Sequence, residues 1–298
     1  MSPCRSKKLP VEQANTLGDL IRLGDAFLSR KRVPDGRVVC ELLAARLCEC
    51  GKGELHRFLD AVPEERVVDA LRRGIQRVAG GEPVQYVLGQ WDFRALTLNV
   101  DKRALIPRPE TELLVDLVLR SETVKNAPKP LVVDVGTGSG CIILSLAKEM
   151  RDGVFVGLDI SAGALALAAE NAARCGLAGR VLFAESDGCG EFDPGSVDVL
   201  VSNPPYIASR VVDGLPRHIR DHEPRLALDG GADGLDVYRA LVLDAVMVLK
   251  PGGGLFFEIG DDQGDALRDL LEGSGFADVR ILKDYAGLDR FAVARQSV

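Results

Sequence analysis

The sequence predicts an α/β fold: a doubly wound, mostly parallel seven-stranded sheet, preceded by a small N-terminal helical bundle and a β-hairpin linker. Three observations predict this arrangement. Apolar residues recur at helical spacing over the first 80 residues, short apolar runs alternate with helical segments from residue 130 onward, and the first of those runs ends in a glycine-rich turn. Strands that alternate with helices pair in parallel, because each crossover helix returns the chain to the same edge of the sheet.

Residues 1–81 are predicted to form a helical domain. Leu17 and Leu20 begin a pattern typical of one helix face, Pro34 marks a helix start, and Gly80-Gly81 ends the segment. A separate helical module ahead of a larger domain often selects a substrate, so we expect a substrate-recognition domain. Simple packing against the larger domain is the alternative.

Residues 82–108 are predicted to form the hairpin linker. Pro83-Val-Gln-Tyr-Val-Leu88 and Leu96-Thr-Leu-Asn-Val100 alternate like two short strands, with Trp91-Asp-Phe93 between or within them. The third domain, residues 109–298, then opens with a helix that begins at Pro109, because proline is favoured in a first helical turn.

The remaining pattern predicts the sheet itself. Seven strands are expected at 130–135, 154–159, 180–185, 197–202, 253–259, 277–283 and 290–295. Helices are expected near 139–150, 162–175, 235–249 and 262–274. The last two strands follow each other closely, which predicts an antiparallel hairpin at the end of the sheet.

Composition excludes several classes of protein. The chain has 298 residues, and no apolar run approaches the ~18–20 residues that span a membrane. The N-terminus lacks the apolar stretch of a signal peptide, so we expect a soluble cytoplasmic protein.

Cysteine and histidine spacing argues against a disulfide framework or a metal site. The seven cysteines are odd in number and irregularly spaced, which favours buried free thiols, and Cys48-Glu-Cys50 lacks a second pair for zinc. The three histidines show no HExxH spacing and no evident triad, so no metal is expected.

Charge is unevenly distributed. Residues 1–82 carry 15 basic and 12 acidic residues, whereas the chain as a whole has 37 basic and 44 acidic residues and a net charge of −7. The larger domain is therefore strongly acidic, and an enzyme that acts on nucleic acid usually shows a basic face around its cleft. This charge balance argues against a DNA or RNA substrate without excluding one.

The glycine-rich turn is the candidate cofactor site. Gly136-Thr137-Gly138-Ser139-Gly140 follows a predicted strand, and Cys141 stands where a dinucleotide fingerprint would have its third glycine. The negative charge of Asp134, inside the end of the strand, repels phosphate and attracts the cationic amino and sulfonium groups of S-adenosylmethionine. Asp159 ends the next strand and can accept both ribose hydroxyls, and Asp187 after the third can accept an adenine N–H.

A stiff turn after the fourth strand is the candidate catalytic and substrate site. Asn203, Pro204, Pro205 and Tyr206 follow the apolar run 197–202, at the edge where open α/β sheets bind ligands. The two prolines restrict the backbone, so its carbonyls point outward. The Asn203 side-chain oxygen and the Pro204 carbonyl can each accept one N–H of a planar –NH2 group while Tyr206 stacks on its plane.

These motifs together resemble a known family. Residues 130–296 resemble a class I S-adenosylmethionine-dependent methyltransferase, a Rossmann-like fold. The wider set resembles the PrmC/HemK family, glutamine N5-methyltransferases of peptide chain release factors. The motifs that carry this resemblance are Pro83–Gly89, Ile106-Pro-Arg-Pro-Glu-Thr-Glu112, Gly136–Gly140, Asn203-Pro-Pro-Tyr-Ile207, Glu223-Pro-Arg-Leu-Ala-Leu228 and Asp233-Gly-Leu-Asp-Val-Tyr238.

The resemblance implies S-adenosylmethionine as co-substrate, no metal, and class 1 release factors as protein substrate. It implies cofactor contacts at Gly136 to Gly140, at Asp159, at Asp187 or its neighbour Gly188, and at Asn203, with glutamine contacts at Asn203 to Tyr206. Many relatives carry an aromatic residue where Gly188 stands, so adenine stacking must come from elsewhere or be weaker. Arg108 and Glu112 are left with either a catalytic role or an anchoring role.

Three other functions remain open. Adenine-N6 methylation of DNA or rRNA would use the same grip on a planar –NH2 group, but it needs base flipping and a basic groove. A glutamine methyltransferase that acts on a ribosomal protein can share the Asn203–Tyr206 motif. A non-catalytic binding protein could keep the sheet alone, although both motifs are intact.

Overall fold

The computed structural model of the protein describes residues 15–297, which divide into two compact units, one ending at Gly89 and the other beginning at Gln90. Cys4 and the first 14 residues of the predicted helical domain lie outside the described residues. The boundary at Gly89 falls within the segment that the sequence assigned to a hairpin linker.

The first unit is helical. Its helices are α1 (Leu17–Arg30), α2 (Gly36–Leu47), α3 (Glu65–Ala79) and α4 (Val84–Leu88), with a 3₁₀ helix at Lys52–Phe58. The Thr16 side chain caps α1 by accepting a hydrogen bond from the Asp19 N–H at 3.2 Å. Leucines and isoleucines from α1, α2 and α3 form the core of this unit, as the helical spacing predicts.

The predicted strand over Pro83–Leu88 is wrong, because this segment is helix α4. Val84, Val87 and Leu88 also have the i, i+3, i+4 spacing of a helix face, and they pack on the helical core. Pro83 precedes the first turn, and Gly89 ends the helix with a φ of +72°. The hairpin instead pairs β1 (Gln90–Phe93) with β2 (Leu96–Asn99).

The second unit contains the seven-stranded sheet that the sequence predicts. Its strands are β3 (Leu131–Val135), β4 (Val154–Asp159), β5 (Val181–Glu185), β6 (Val197–Ser202), β7 (Leu249–Glu258), β8 (Ala277–Lys283) and β9 (Asp289–Arg295). The order across the sheet is β5-β4-β3-β6-β7-β9-β8. Only the pairings of β9 with β7 and β8 are antiparallel, which confirms the predicted closing hairpin.

Helices cover both faces of this sheet. They are α5 (Pro109–Leu119), α6 (Glu122–Asn126), α7 (Cys141–Glu149), α8 (Ala162–Arg174), α9 (Ser209–Val212), α10 (Arg217–Arg220), α11 (Asp236–Val248) and α12 (Gly264–Gly273). Val132 packs with α5, α7 and α8 on one face, whereas its neighbour Val133 packs with α11 and α12 on the other. Both faces are therefore buried, which is why the strands read as nearly continuous apolar runs.

Two expectations from composition can be compared with this fold. In residues 15–297, no helix combines the length and apolar character that a membrane span requires. The six described cysteines are free thiols; Cys40 and Cys189 are buried, whereas the other four are only partly buried.

Arg94 joins the β1–β2 hairpin to the helices that pack on the sheet. It lies between the two strands, and its backbone N–H and its Nη1 donate to the side chain and the carbonyl of Glu112, each at 2.9 Å. The same guanidinium pairs with Asp116 of α5 at 2.8 Å and with Glu149 of α7 at 2.6 Å. The contacts with Glu149 and Asp116 raise the pKa of Arg94 above its ordinary value. Glu112 therefore has an anchoring contact, one of the two roles left open for it.

We expect Arg94→Ala to lower the free energy of unfolding by about 2–3 kcal/mol, because it leaves partly buried carboxylates without their cation. Arg120→Ala is the matched control, since Arg120 pairs with the same Asp116 but its side chain is 79% exposed. Urea denaturation of both variants would test this, and equal stability losses would contradict it.

Candidate active site

A cavity of about 300 Å³ lies at the carboxyl ends of β3, β4, β5 and β6. Its volume is in the range of small-molecule sites, and most of its lining is apolar. The walls come from the turn after β3, the ends of β4 and β5, and the turn after β6. Residues 103–108 also contribute to the lining, as do Thr111, Pro224, Leu226 and Ala227.

The glycine-rich turn forms one wall of the cavity. Gly136 and Gly138 have φ values of +73° and +55°, a conformation that glycine adopts without strain. Both line the cavity together with Thr137 and Ser139. Gly140 is not among the described lining residues: a Cβ there would lie 2.9 Å from a Leu144 methyl group, so this glycine allows the start of α7 to pack closely.

Asp134 lies directly behind this turn and is fully buried. Its Oδ2 accepts a hydrogen bond from the Thr137 hydroxyl at 2.7 Å, whereas its Oδ1 has no hydrogen-bond partner among residues 15–297. Burial, aided by the Asp159 charge and opposed by the Thr137 hydrogen bond, raises the pKa of the Asp134 carboxyl to about 7. A buried and half-satisfied carboxylate favours a cationic ligand and disfavours a phosphate.

Asp159 lines the cavity at the end of β4. Its two oxygens accept hydrogen bonds from the backbone N–H groups of Gly138 at 2.8 Å and Ser161 at 2.9 Å. Burial raises the pKa of this carboxyl too. Because each carboxylate oxygen has two lone pairs, Asp159 is held in place and can still accept ligand hydroxyls.

The segment after β5 places Asp187 in the lining but not Gly188. A Cβ at Gly188 would collide with the Asp244 carboxylate, which accepts the N–H of Cys189 at 2.8 Å and of Gly190 at 3.0 Å. A side chain at 188 would therefore displace this anchor.

Apolar surface in the cavity comes from other positions than 188. Ile160, Val237 and Leu241 line it, and Ile160 is 53% exposed although it is a large aliphatic residue. The sequence reasoning missed Ile160. Its position directly after Asp159, the predicted ribose ligand, is the signal that could have identified it.

The turn after β6 places Asn203, Pro204 and Pro205 in the cavity lining. Tyr206 is not among the described lining residues; its side chain packs on the core beside α11, and burial raises its pKa to about 12. The predicted stacking of Tyr206 on a ligand in this cavity therefore has no support from its position.

Two contacts hold the backbone of this turn. The Gln263 side chain donates to the Tyr206 carbonyl at 3.0 Å and to the Gly234 carbonyl at 3.2 Å. A Cβ at Gly230 would lie 2.6 Å from the Pro205 carbonyl oxygen, so only glycine allows this approach. The glycine-rich loop 230–234 thus supports the turn from the side away from the cavity.

Behind Asn203 lies a short chain of buried polar side chains. Its Nδ2 donates to the Thr111 hydroxyl oxygen at 3.2 Å, and that hydroxyl donates to Glu258 Oε2 at 2.6 Å. Thr111 is 2% exposed and Glu258 is 1% exposed, and burial raises the pKa of the Glu258 carboxyl to about 7. The sequence reasoning missed both residues; the signal was a glutamate within the apolar run 255–259.

Arg108 and the buried Glu223 join two segments beside the cavity. The Arg108 Nη2 donates to Glu223 Oε1 at 2.6 Å, and the Ile106 N–H donates to Glu223 Oε2 at 3.2 Å. Arg108 also lines the cavity, so it has an anchoring contact and access to a ligand.

Comparison with known proteins identifies the family. Residues 19–89 match the family model of the PrmC N-terminal domain, and residues 111–220 match that of the methyltransferase small domain. The chain is similar to the release factor glutamine methyltransferase of Moorella thermoacetica, at 40% identity over 91% of this chain and 96% of that one. That of Caulobacter vibrioides is also 40% identical, over 90% of this chain and 91% of that one. The chain belongs to the release factor glutamine methyltransferase family.

The ranges of the two family matches correspond to the two units of the structure. In this release factor glutamine methyltransferase family member, the methyltransferase match begins at Thr111 and includes both cavity turns. The PrmC N-terminal match ends at Gly89, the last residue of the helical unit. The catalytic domain of hMettl16, solved with MAT2A 3'UTR hairpin 6, shares the fold at 15% identity and a TM-score of 0.55, covering 77% of this chain and 82% of that one.

We expect Asp134→Asn to stabilise the ligand-free protein at pH 8. The folded-state pKa of about 7 lies above the ordinary 3.8, so this carboxyl supports folding best below pH 3.8 and loses that contribution as pH rises through about 7. The gain of the variant should grow by at most ~1.4 kcal/mol per pH unit across that window. Urea denaturation at pH 4 and pH 8 measures it.

Asp198→Asn is the control for this prediction. Its carboxylate is partnered, because Oδ2 accepts from the Leu131 N–H at 2.8 Å and from Lys250 Nζ at 2.7 Å. Asp198→Asn should therefore destabilise the protein at pH 8. If Asp134→Asn also lowered the stability at pH 8, the Asp134 charge would not destabilise the folded protein.

Proposed function

We propose that the protein transfers a methyl group from S-adenosylmethionine to the side-chain amide nitrogen, N5, of the glutamine in the Gly-Gly-Gln motif of class 1 peptide chain release factors. One observation carries the proposal: the Asn203–Pro205 turn and the glycine-rich turn open into the same cavity. The names of the relatives, release factor glutamine methyltransferases, support the substrate.

The cavity residues fit S-adenosylmethionine. Asp134 is not among the described lining residues, but its charge behind the glycine-rich turn favours the cationic groups of S-adenosylmethionine, and the positive-φ glycines allow a close backbone approach. We assign the ribose hydroxyls to Asp159, the adenine amino group to Asp187, and an apolar contact with the adenine ring to Ile160. When bound, S-adenosylmethionine supplies a methyl group activated by the sulfonium.

The task of the protein is to present the amide nitrogen. An amide nitrogen is a weak nucleophile, because its lone pair is delocalised into the carbonyl. We propose that Asn203 Oδ1 and the Pro204 carbonyl each accept one of the two amide N–H groups of the glutamine, so that the nitrogen faces the methyl donor. The same two oxygens disperse the positive charge that develops on nitrogen.

The remaining residues of the motif act on the turn. We assign Pro205 to the stiffness of the turn and Tyr206 to its attachment to the core, since the Tyr206 carbonyl accepts the bond from Gln263. No metal and no nucleic acid enter this proposal. The acidic balance of the larger domain supports a protein substrate over DNA or RNA.

Asn203→Ala should reduce turnover by about 100-fold or more, because it removes one of the two acceptors for the glutamine amide. Mass spectrometry of the release-factor peptide that contains Gly-Gly-Gln would measure the added methyl group. Asn126→Ala, an exposed asparagine at the end of α6, serves as control and should methylate normally. Calorimetry should show that Asn203→Ala still binds S-adenosylmethionine; near-normal turnover would exclude this role of Asn203.

We further propose that the helical domain, residues 1–81, selects the release factor. A Gly-Gly-Gln loop has few atoms and offers little binding energy, so specificity must come from remote contacts. Arg30, Lys31 and Arg32 form an exposed basic cluster at the end of α1. Of the second predicted cluster, Arg73 is exposed, whereas Arg72 is half-buried and lies 3.5 Å from Asp69.

Charge reversal of the basic cluster tests this role without truncating the chain. Replacing Arg30, Lys31 and Arg32 by glutamate should lower kcat/KM for an intact release factor by about tenfold, because electrostatic attraction is lost. Methylation of a short Gly-Gly-Gln peptide should be unchanged. Glutamate at Lys125, Lys129 and Arg151 gives the matched charge change and should have little effect. Equal effects on protein and peptide would contradict the proposal.

A further inference from the structure

We propose that Thr111 and Glu258 are positioning residues that fix which end of the Asn203 amide faces the cavity. The inference rests on the proposed function, because it specifies how Asn203 becomes an acceptor for the glutamine amide. It concerns two buried side chains from α5 and β7, distant in sequence from the turn that they orient.

The direction of each hydrogen bond follows from the chemistry of the groups. An ionised Glu258 has only acceptors, so the Thr111 hydroxyl must point its hydrogen at Oε2. The Thr111 oxygen then faces Asn203 with its lone pairs and can only accept. Asn203 therefore turns its –NH2 toward Thr111, and its Oδ1 is left for the cavity side.

Shape alone does not make this choice. The oxygen and nitrogen of an asparagine amide are nearly equal in size, so a rotation by 180° about the terminal bond preserves the packing. The rotated amide would place a donor against the N–H groups of the substrate glutamine. The hydrogen-bonded chain from Asn203 through Thr111 to the Glu258 carboxylate, called the relay below, excludes that state. The rotated amide would put its oxygen against the lone pairs of the Thr111 oxygen.

The surroundings of Glu258 decide when the relay holds. Five titratable or charged groups act on it or are affected by it electrostatically: Arg290, Glu110, Tyr206, Tyr238 and Cys141. Burial, aided by Glu110, raises the pKa of Glu258 to about 7, whereas hydrogen bonding from Thr111, the Arg290 charge and hydrogen bonding from the Asn203 side chain oppose the rise. A protonated Glu258 can donate to Thr111, which frees the Thr111 hydrogen to turn to Asn203.

Two substitutions at Thr111 separate the hydroxyl from its volume. Thr111→Ser keeps the hydroxyl and should retain kcat within about threefold, whereas the isosteric Thr111→Val should lower kcat by about tenfold or more. Binding of S-adenosylmethionine, measured by calorimetry, should be equal in both. Equal kcat values for the two variants would overturn the inference.

Glu258→Gln tests the direction of the relay. A glutamine amide can donate to the Thr111 oxygen, which allows Asn203 to turn its –NH2 toward the cavity. The variant should then favour a release factor in which the Gly-Gly-Gln glutamine is replaced by glutamate, because a carboxylate accepts from –NH2. We compare the affinity for this glutamate-substituted release factor, measured by inhibition, with the affinity for the unchanged release factor. We expect the ratio of the two affinities to be about tenfold higher in Glu258→Gln than in wild type. An unchanged ratio would overturn the inference.

A pH profile of kcat provides the third test. At saturating S-adenosylmethionine, kcat of the wild type should fall as pH drops below about 7, and Glu258→Gln should be flat over the same range. The saturating co-substrate removes the effect of Asp134 protonation on its binding. Wild-type protein that fails to methylate the release factor would refute the proposed function; wild-type activity with a parallel profile in Glu258→Gln would refute the relay alone.

Discussion

The pairing of β3 with β6 determines where every part of the cavity lies. The two strands are parallel neighbours, with Val135 opposite Ser202, and the Ser202 hydroxyl donates to the Val135 carbonyl at 2.6 Å. The glycine-rich turn and the Asn203 turn therefore leave the sheet side by side. On the other side of β3 lies β4. The strand order therefore continues through β4 and β5 in one direction and through β6 and β7 in the other, and open α/β sheets bind ligands at such a reversal.

Two buried carboxyls at this edge work against the stability of the fold. Asp134 is the penultimate residue of β3 and Glu258 is the last residue of β7, and burial brings the pKa of each to about 7. Within residues 15–297, neither forms an ion pair of the kind that joins Asp198 to Lys250 at the opposite edge. Burying a carboxylate without a paired cation destabilises a fold, so their presence marks a site where chemistry overrides packing.

The sequence predicted the sheet well because its central strands β3, β4 and β6 are buried on both faces. All seven strands were expected within a few residues, and the fold class is confirmed. Helix α4 was missed because five residues from Val84 fit a strand and a helix equally well. The short helices α9 and α10 went unnoticed because four residues carry too little periodicity.

The predicted site residues line the cavity where local structure sets their direction, and they do not where distant elements set it. Residues whose backbone or immediate strand end sets their direction, such as Gly136, Asp159 and Asn203, do line the cavity. Gly188 and Tyr206 do not, because Asp244 and Gln263 from distant elements decide the course of their loops. Thr111 and Glu258 are 147 residues apart, and no local pattern connects them.

The position of β9 has a consequence for synthesis of the chain on the ribosome. It is the last strand in the described sequence, yet it lies between β7 and β8 and pairs with both. Until residues 289–295 leave the exit tunnel, β8 has no partner and β7 presents a bare edge to other nascent chains. A premature stop codon before Asp289 would thus cost the sheet two strands rather than one.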